Sequence, residues 1–151
     1  MTSMGAIPPS VRPLRILQVE DMPSDAVLTA HALKAGDVPY SIHVVKDGKQ
    51  ALVFLQRGQG FAEAPRPDLI LLDLSLPIMN GQKVLEFIKN HPSLKAIPVV
   101  IFTTFATDAS KKLAYNHHAN SYVTKPTDFA QFTSTIQSIA AYWGRVSIPA
   151  G

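Results

Sequence analysis

The stretch PDLILLDLSLPIMNG, residues Pro67–Gly81, decides how the chain is read. Within it, Asp68–Asp73 is a strand pattern bracketed by two carboxylates. LILL is continuous rather than alternating, and a run of that kind suits a strand buried on both faces, as in a parallel sheet. A carboxylate placed directly after such a run is costly unless something pairs with it, so Asp73 asks for a partner. Gly81–Asn90 follows as a helix, with Val84, Leu85, Phe87 and Ile88 facing inward.

The same unit repeats to either side. LRILQV (Leu14–Val19) reads as a strand, and Pro23 and Ser24 start a helix that runs to Gly36, a natural stop. SIHVV (Ser41–Val45) is a second strand. Asp47-Gly48 is a turn, and Ala51, Leu52, Phe54 and Leu55 mark a helix ending at Gly58. Gly58–Pro67 is loop. VVIFT (Val99–Thr103) is the fourth strand, Asp108–His118 a weaker helix and SYVT (Ser121–Thr124) the fifth strand. Asp128–Trp143 is the last helix, with Phe129, Phe132, Ile136, Ile139 and Ala140 as its core stripe. Five β–α units in strict alternation predict an α/β fold: a doubly wound five-stranded parallel sheet with helices on both faces.

The length of 151 residues allows one domain. Pro8, Pro9 and Pro13 exclude helix or inner strand at the start, so residues 1–13 are expected to be a flexible arm, 14–143 the domain and 144–151 a tail. There is no Cys, which removes disulfides, thiolate metal sites and thiol nucleophiles. Lys and Arg number 14 against 11 Asp and Glu, a formal charge of +3 with no basic run, so nucleic-acid binding ranks last. No apolar run approaches membrane-spanning length and the first residues lack a secretory pattern, so the expectation is a soluble cytoplasmic protein with no membrane partner.

The chemistry lies after the strands. Glu20-Asp21 follows the first, Asp73 ends the third, Thr103 ends the fourth and Lys125-Pro126 follows the fifth. Parallel strands bring these residues to one edge, where open α/β sheets bind ligands. In strand order 2-1-3-4-5 the reversal falls between strands one and three, which sets Glu20, Asp21 and Asp73 side by side. Two like charges about 4 Å apart cost on the order of 4 kcal/mol at an effective dielectric near 20, so the cluster needs a cation. Oxygen ligands without Cys favour Mg²⁺ or Mn²⁺ over zinc. Lys125 supplies an ammonium and Thr103 a hydroxyl. The set reads as an aspartyl-phosphate site with Asp73 as nucleophile.

ILQVED, PDLILLDLSLPIMNG, IPVVIFTT and NSYVTKP, in that order, resemble the receiver domains of two-component response regulators, over Leu14 to about Ile139. The resemblance implies the flavodoxin-like receiver fold. It implies Asp73 as phosphoacceptor, Asp21 as direct Mg²⁺ ligand with Glu20 as its water-mediated partner, and the Ser75 backbone carbonyl as a third protein ligand. Thr103 and Tyr122 would be the switch residues, and Lys125 the phosphate-pairing lysine before a cis bond to Pro126. VEDMPSDA, FAEAPRPDLILLD, NHHANSYVTKP and AYWGRVSIP are similar to the single-domain regulators of cyanobacterial phytochrome kinases. That likeness implies a light-regulated sensor histidine kinase as donor, and a homodimer through the fourth helix, fifth strand and fifth helix. Output would run through an unidentified protein partner. Ser75 stands where many relatives carry Asn, and Phe105 where faster ones carry an acid or amide, so a comparatively long-lived aspartyl phosphate is expected.

Blander readings stand beside these. Tyr122 also reads as core filler, Asp21 as a helix cap, and Tyr142 and Trp143 as a lid over the core rather than a dimer contact. His117 and His118 point about 100° apart on a helix and read as surface residues. A phosphohydrolase would use the same nucleophile but needs a general acid two residues later, where Ser75 stands. A receiver fold without signalling chemistry is the third alternative.

Overall fold

The computed structural model describes residues 12–104 and 106–146. Five strands, β1 (Leu14–Val19), β2 (Tyr40–Val45), β3 (Leu69–Leu72), β4 (Val99–Thr103) and β5 (Ser121–Thr124), form one sheet in the order β2-β1-β3-β4-β5. Every neighbouring pair is parallel. The helices are α1 (Pro23–Ala35), α2 (Gly48–Leu55), α3 (Gly81–Asn90), α4 (Asp108–Asn116) and α5 (Phe129–Ala141), the last running on into a π-helical turn, Tyr142–Val146.

Successive strand residues point to opposite faces, and both faces are covered. Leu17, Val19, Ile70, Leu72, Val99 and Ile101 pack with Phe54 of α2, Val84, Leu85 and Ile88 of α3 and Ala114 of α4. Leu14, Ile16, Leu69, Leu71, Val100 and Phe102 pack with Ala32 and Leu33 of α1 and Phe132, Ile136 and Ala140 of α5. This double cover is why β3 and β4 read as unbroken apolar runs.

Several boundaries differ from the sequence reading. Asp47-Gly48 opens α2 directly instead of forming a separate turn, because the Asp47 side chain accepts the Gln50 amide at 2.8 Å and caps the helix. The third strand is shorter than Asp68–Asp73, although both Asp amides still bond to the β1 side, to Arg15 and Val19. Phe129 is not core: it is 55% exposed, its ring 5.6 Å from that of His31. No described peptide bond is cis, so Pro126 follows a trans bond, the ordinary preference for X–Pro. Of the expected arm, residues 1–11 lie outside the described residues, and of the tail, residues 147–151 do.

The sheet edge at the strand N-termini is cross-tied. Asp68 accepts from the guanidinium groups of Arg12 and Arg15 and from the Arg15 amide. Burial pulls the Asp68 pKa up, but the bonds from Arg15 and Arg12 outweigh it and hold it below the ordinary value. Lys89 closes the same edge, donating to the carbonyls of Lys95 and Ile97 and to Asn120 Oδ1. Asn120 Oδ1 also takes the Val99 amide.

Candidate phosphoacceptor and metal site

The opposite edge carries the acidic residues. β1 ends at Val19, but the Glu20 amide still bonds to Val45 of β2, which fixes the start of the β1–α1 loop. Asp73 follows β3 and is 5% exposed. Its Oδ1 accepts from Thr103 Oγ1 at 2.9 Å and from the Ser75 amide at 2.9 Å; its Oδ2 accepts from Lys125 Nζ at 2.9 Å. The Lys125 amide bonds to the Thr103 carbonyl, which seats the β5–α5 loop against the end of β4. Glu20, Asp21 and Asp73 each place a carboxylate oxygen within 4.8 Å of the other two.

Five of the residues expected at one edge therefore meet: Glu20, Asp21, Asp73, Thr103 and Lys125. Ser75 joins them through its amide. Tyr122 stands apart, half-buried against the α3–α4 side of the core, its hydroxyl 3.0 Å from Ser110 Oγ on α4. Phe105 lies outside the described residues. The sequence reading missed Asp25, on the first turn of α1, whose Oδ2 is 2.7 Å from Lys125 Nζ. Its partner lies 100 residues away in sequence, so no local pattern pointed to it.

Burial sets the electrostatics. It pushes the Glu20 carboxyl up to about 7; hydrogen bonding and the charge of Lys125 pull the other way, and the Asp73 charge adds to the rise. Burial also works against the Lys125 ammonium, but bonds to Asp25, Glu20 and Asp73 more than offset it and drive its pKa upward. The donor set is all oxygen, clustered and over-supplied with negative charge, which fits a hard divalent cation.

The fold and this site point the same way as comparison with known proteins. The response regulator receiver domain family matches residues 16–137. The chain belongs to that family. The receiver is 38% identical to the response regulator Rcp1 of Synechocystis over 144 residues, 95% of each chain. It is 39% identical to a probable methanogenesis regulatory protein, FilR2, of Methanothrix harundinacea over 131 residues, 87% of this chain and 84% of that one. Among solved structures it resembles the phosphorylated cyanobacterial phytochrome response regulator RcpA, with a TM-score of 0.89 and 36% identity over 93% of this chain and all of that one. It also resembles the Mn²⁺-bound form of Rcp1, with a TM-score of 0.86 and 38% identity over 91% of this chain and all of that one.

The Glu20 shift gives a pH prediction for this receiver. A carboxyl whose folded pKa is about 7 against 4.5 unfolded holds its proton more tightly when folded. Its contribution is therefore full below pH 4.5 and is lost as pH rises through 7. A divalent cation competes with that proton. Titration followed by thermal unfolding should show apparent Mg²⁺ affinity roughly thirtyfold weaker at pH 5.5 than at pH 8. Equal affinity at the two pH values would contradict the assignment.

Proposed function

We propose that this receiver accepts a phosphoryl group on Asp73 from a sensor histidine kinase of phytochrome type and passes the change on through its α4–β5–α5 surface. The observation that carries the reading is the Asp73 carboxylate: buried at a strand end, and tied at once to an ammonium, a hydroxyl and a backbone amide.

An Asp73 oxygen attacks phosphorus as the N–P bond of the donor phosphohistidine breaks, and the imidazole leaves with the electron pair and takes a proton from solvent. Lys125 stands ready to donate to an oxygen of the transferred group, and Thr103 to another. Glu20, Asp21, Asp73 and the Ser75 carbonyl are the residues that would hold Mg²⁺, with Mn²⁺ as a substitute. When bound, the metal offsets the charge gathered between the carboxylates and the phosphoryl oxygens. Phosphoryl acceptance is self-catalysed and stoichiometric, and slow loss of the phosphate resets the protein. No side-chain acid follows Asp73 at position 75, which disfavours a phosphohydrolase.

Phosphorylation adds about −1.5 to −2 charge beside Thr103. Drawing the Thr103 hydroxyl to the phosphoryl group frees room for Tyr122, whose release from Ser110 would loosen β5 from α4. Tyr142 is exposed and packs edge-on against Trp143, with ring centroids 4.9 Å apart. That pair supports a homodimer contact on the β5–α5 side, and a cytoplasmic signalling role completes the reading.

Incubation with acetyl phosphate and Mg²⁺ should add about 80 Da to the intact protein, and a molecular-size measurement on the same sample reads assembly. No gain in mass would overturn the proposal. Phe105→Glu should shorten the life of the aspartyl phosphate severalfold, because faster members of the family carry an acid or amide at that position. Phosphate loss timed at an unchanged or slower rate would reject the long-lived state.

A further inference from the structure

Three carboxylates surround the Lys125 ammonium: Asp25 Oδ2 at 2.7 Å and Asp73 Oδ2 at 2.9 Å accept hydrogen bonds from it, and Glu20 Oε1 forms an ion pair with it at 2.6 Å. Under the proposed function two of these partners have a second duty. Asp73 forms the bond to phosphorus, and Glu20 belongs to the metal-holding group with Asp21. Asp25 lies outside that group, and the hydrogen bond its carboxylate accepts comes from Lys125, 100 residues away in sequence.

Its own position is firmly supported. The Asp25 carbonyl accepts from the Thr29 hydroxyl at 2.9 Å, and Thr29, fully buried, accepts in turn from Gln18 of β1 at 3.0 Å. α1 begins without a side-chain cap, so the Asp25 carboxylate is not drawn back to the amides of its own helix. The Asp25 backbone is thus anchored to β1 through Thr29, and its carboxylate is left free to serve Lys125.

We propose that Asp25 is a positioning residue for phosphoryl transfer, holding the Lys125 ammonium over Asp73 while the other two carboxylates exchange partners. The inference rests on Asp73 being the acceptor. With acetyl phosphate, the phosphorus–oxygen bond to the acetyl group breaks as the Asp73–phosphorus bond forms, and acetate departs with the electron pair. The Lys125 donor that met Asp73 turns to an incoming phosphoryl oxygen, and no proton leaves Lys125 or Asp25. Without the third anchor the ammonium is divided between groups that both change roles during the step.

Asp25→Asn keeps the shape and removes the charge; Asp25→Glu keeps the charge and changes the shape. The Asp25 side chain is 21% exposed, which leaves room for a methylene. At saturating Mg²⁺, D25N should gain mass from acetyl phosphate about tenfold more slowly than the natural protein, and D25E within about threefold of it. A purely structural role reverses that order, because Asn fits where Glu crowds. Asp25→Ser, small enough for any fold that accepts Asp, should match D25N.

A second readout needs no metal. In ¹⁵N-labelled protein the Lys125 ammonium, 4% exposed and enclosed by three carboxylates, should give a slowly exchanging proton signal. The signal should persist in D25E and vanish in D25N. D25N labelling at the natural rate, or faster than D25E, overturns the inference, as does an ammonium signal that survives in D25N. A natural protein that gains no mass while its ammonium signal responds to D25N instead overturns the acceptor reading.

Discussion

Asp73→Asn should leave the protein with no measurable gain in mass from acetyl phosphate, a loss of at least about a thousandfold in labelling rate. The amide lacks the anionic oxygen that attacks phosphorus. The variant should still fold. Glu20, Asp25 and Asp73 surround one ammonium and Asp21 adds a further carboxylate beside Glu20 and Asp73, so removing one negative charge relieves repulsion in the metal-free state. Thermal unfolding without Mg²⁺ should show a melting temperature equal to or above that of the natural protein. The stabilisation given by Mg²⁺ should shrink, because one of the three clustered carboxylates is gone. D73N that labels normally would move the acceptor elsewhere; D73N that unfolds would make Asp73 a structural residue.

Gly81→Ala should be the most damaging alanine substitution among the described glycines. A Cβ at position 81 would overlap the Asp73 carbonyl oxygen and stand 2.6 Å from Leu74 Cα. Both are backbone, so neither can swing aside. The Gly81 amide is also bonded to the Leu74 carbonyl at 3.0 Å, which locks the start of α3 onto the chain just past Asp73. Backing the helix away breaks that bond and shifts the loop that aims the Asp73 carboxylate. The expected cost is about 3 kcal/mol, by analogy with overpacked cores, or about 10 °C in melting temperature for a domain of this size. Phosphoryl labelling should slow in the fraction that folds. Gly36→Ala is the control: a Cβ there would meet Gln137 Cγ at 3.4 Å, and the change should be nearly silent. Equal effects at the two positions would show that helix propensity, not the Asp73–Gly81 approach, governs position 81.

The alternation of strand and helix was legible because each strand is buried on both faces and each helix on one. LILL and VVIF could hardly be anything else, and a polar residue after such a run has to be functional or paired. The same logic found Asp73, Thr103 and Lys125. Asp25 escaped it because its partner is 100 residues distant and nothing in PSDA separates an acid serving its own helix from one serving a distant lysine. Phe129 was misread for a related reason: helical spacing identifies a stripe, but where the stripe begins depends on how α5 enters the sheet. Asp47-Gly48 carried a turn signature and a cap signature at once, and only the Gln50 amide decides between them. Tyr122 could be placed on β5, but its hydroxyl contact with Ser110 depends on the tilt of α4, which no local pattern encodes.

The two Asp68–arginine ion pairs and the three-way Lys89 bond share a consequence. They bind the far rim of the sheet as a spine binds pages, with contacts that neither a metal nor a phosphate competes for. At the near rim the ties are ionic and exchangeable. Under the proposed function, a phosphate arriving at the near rim would act on the leaf tips while the far rim keeps its hold.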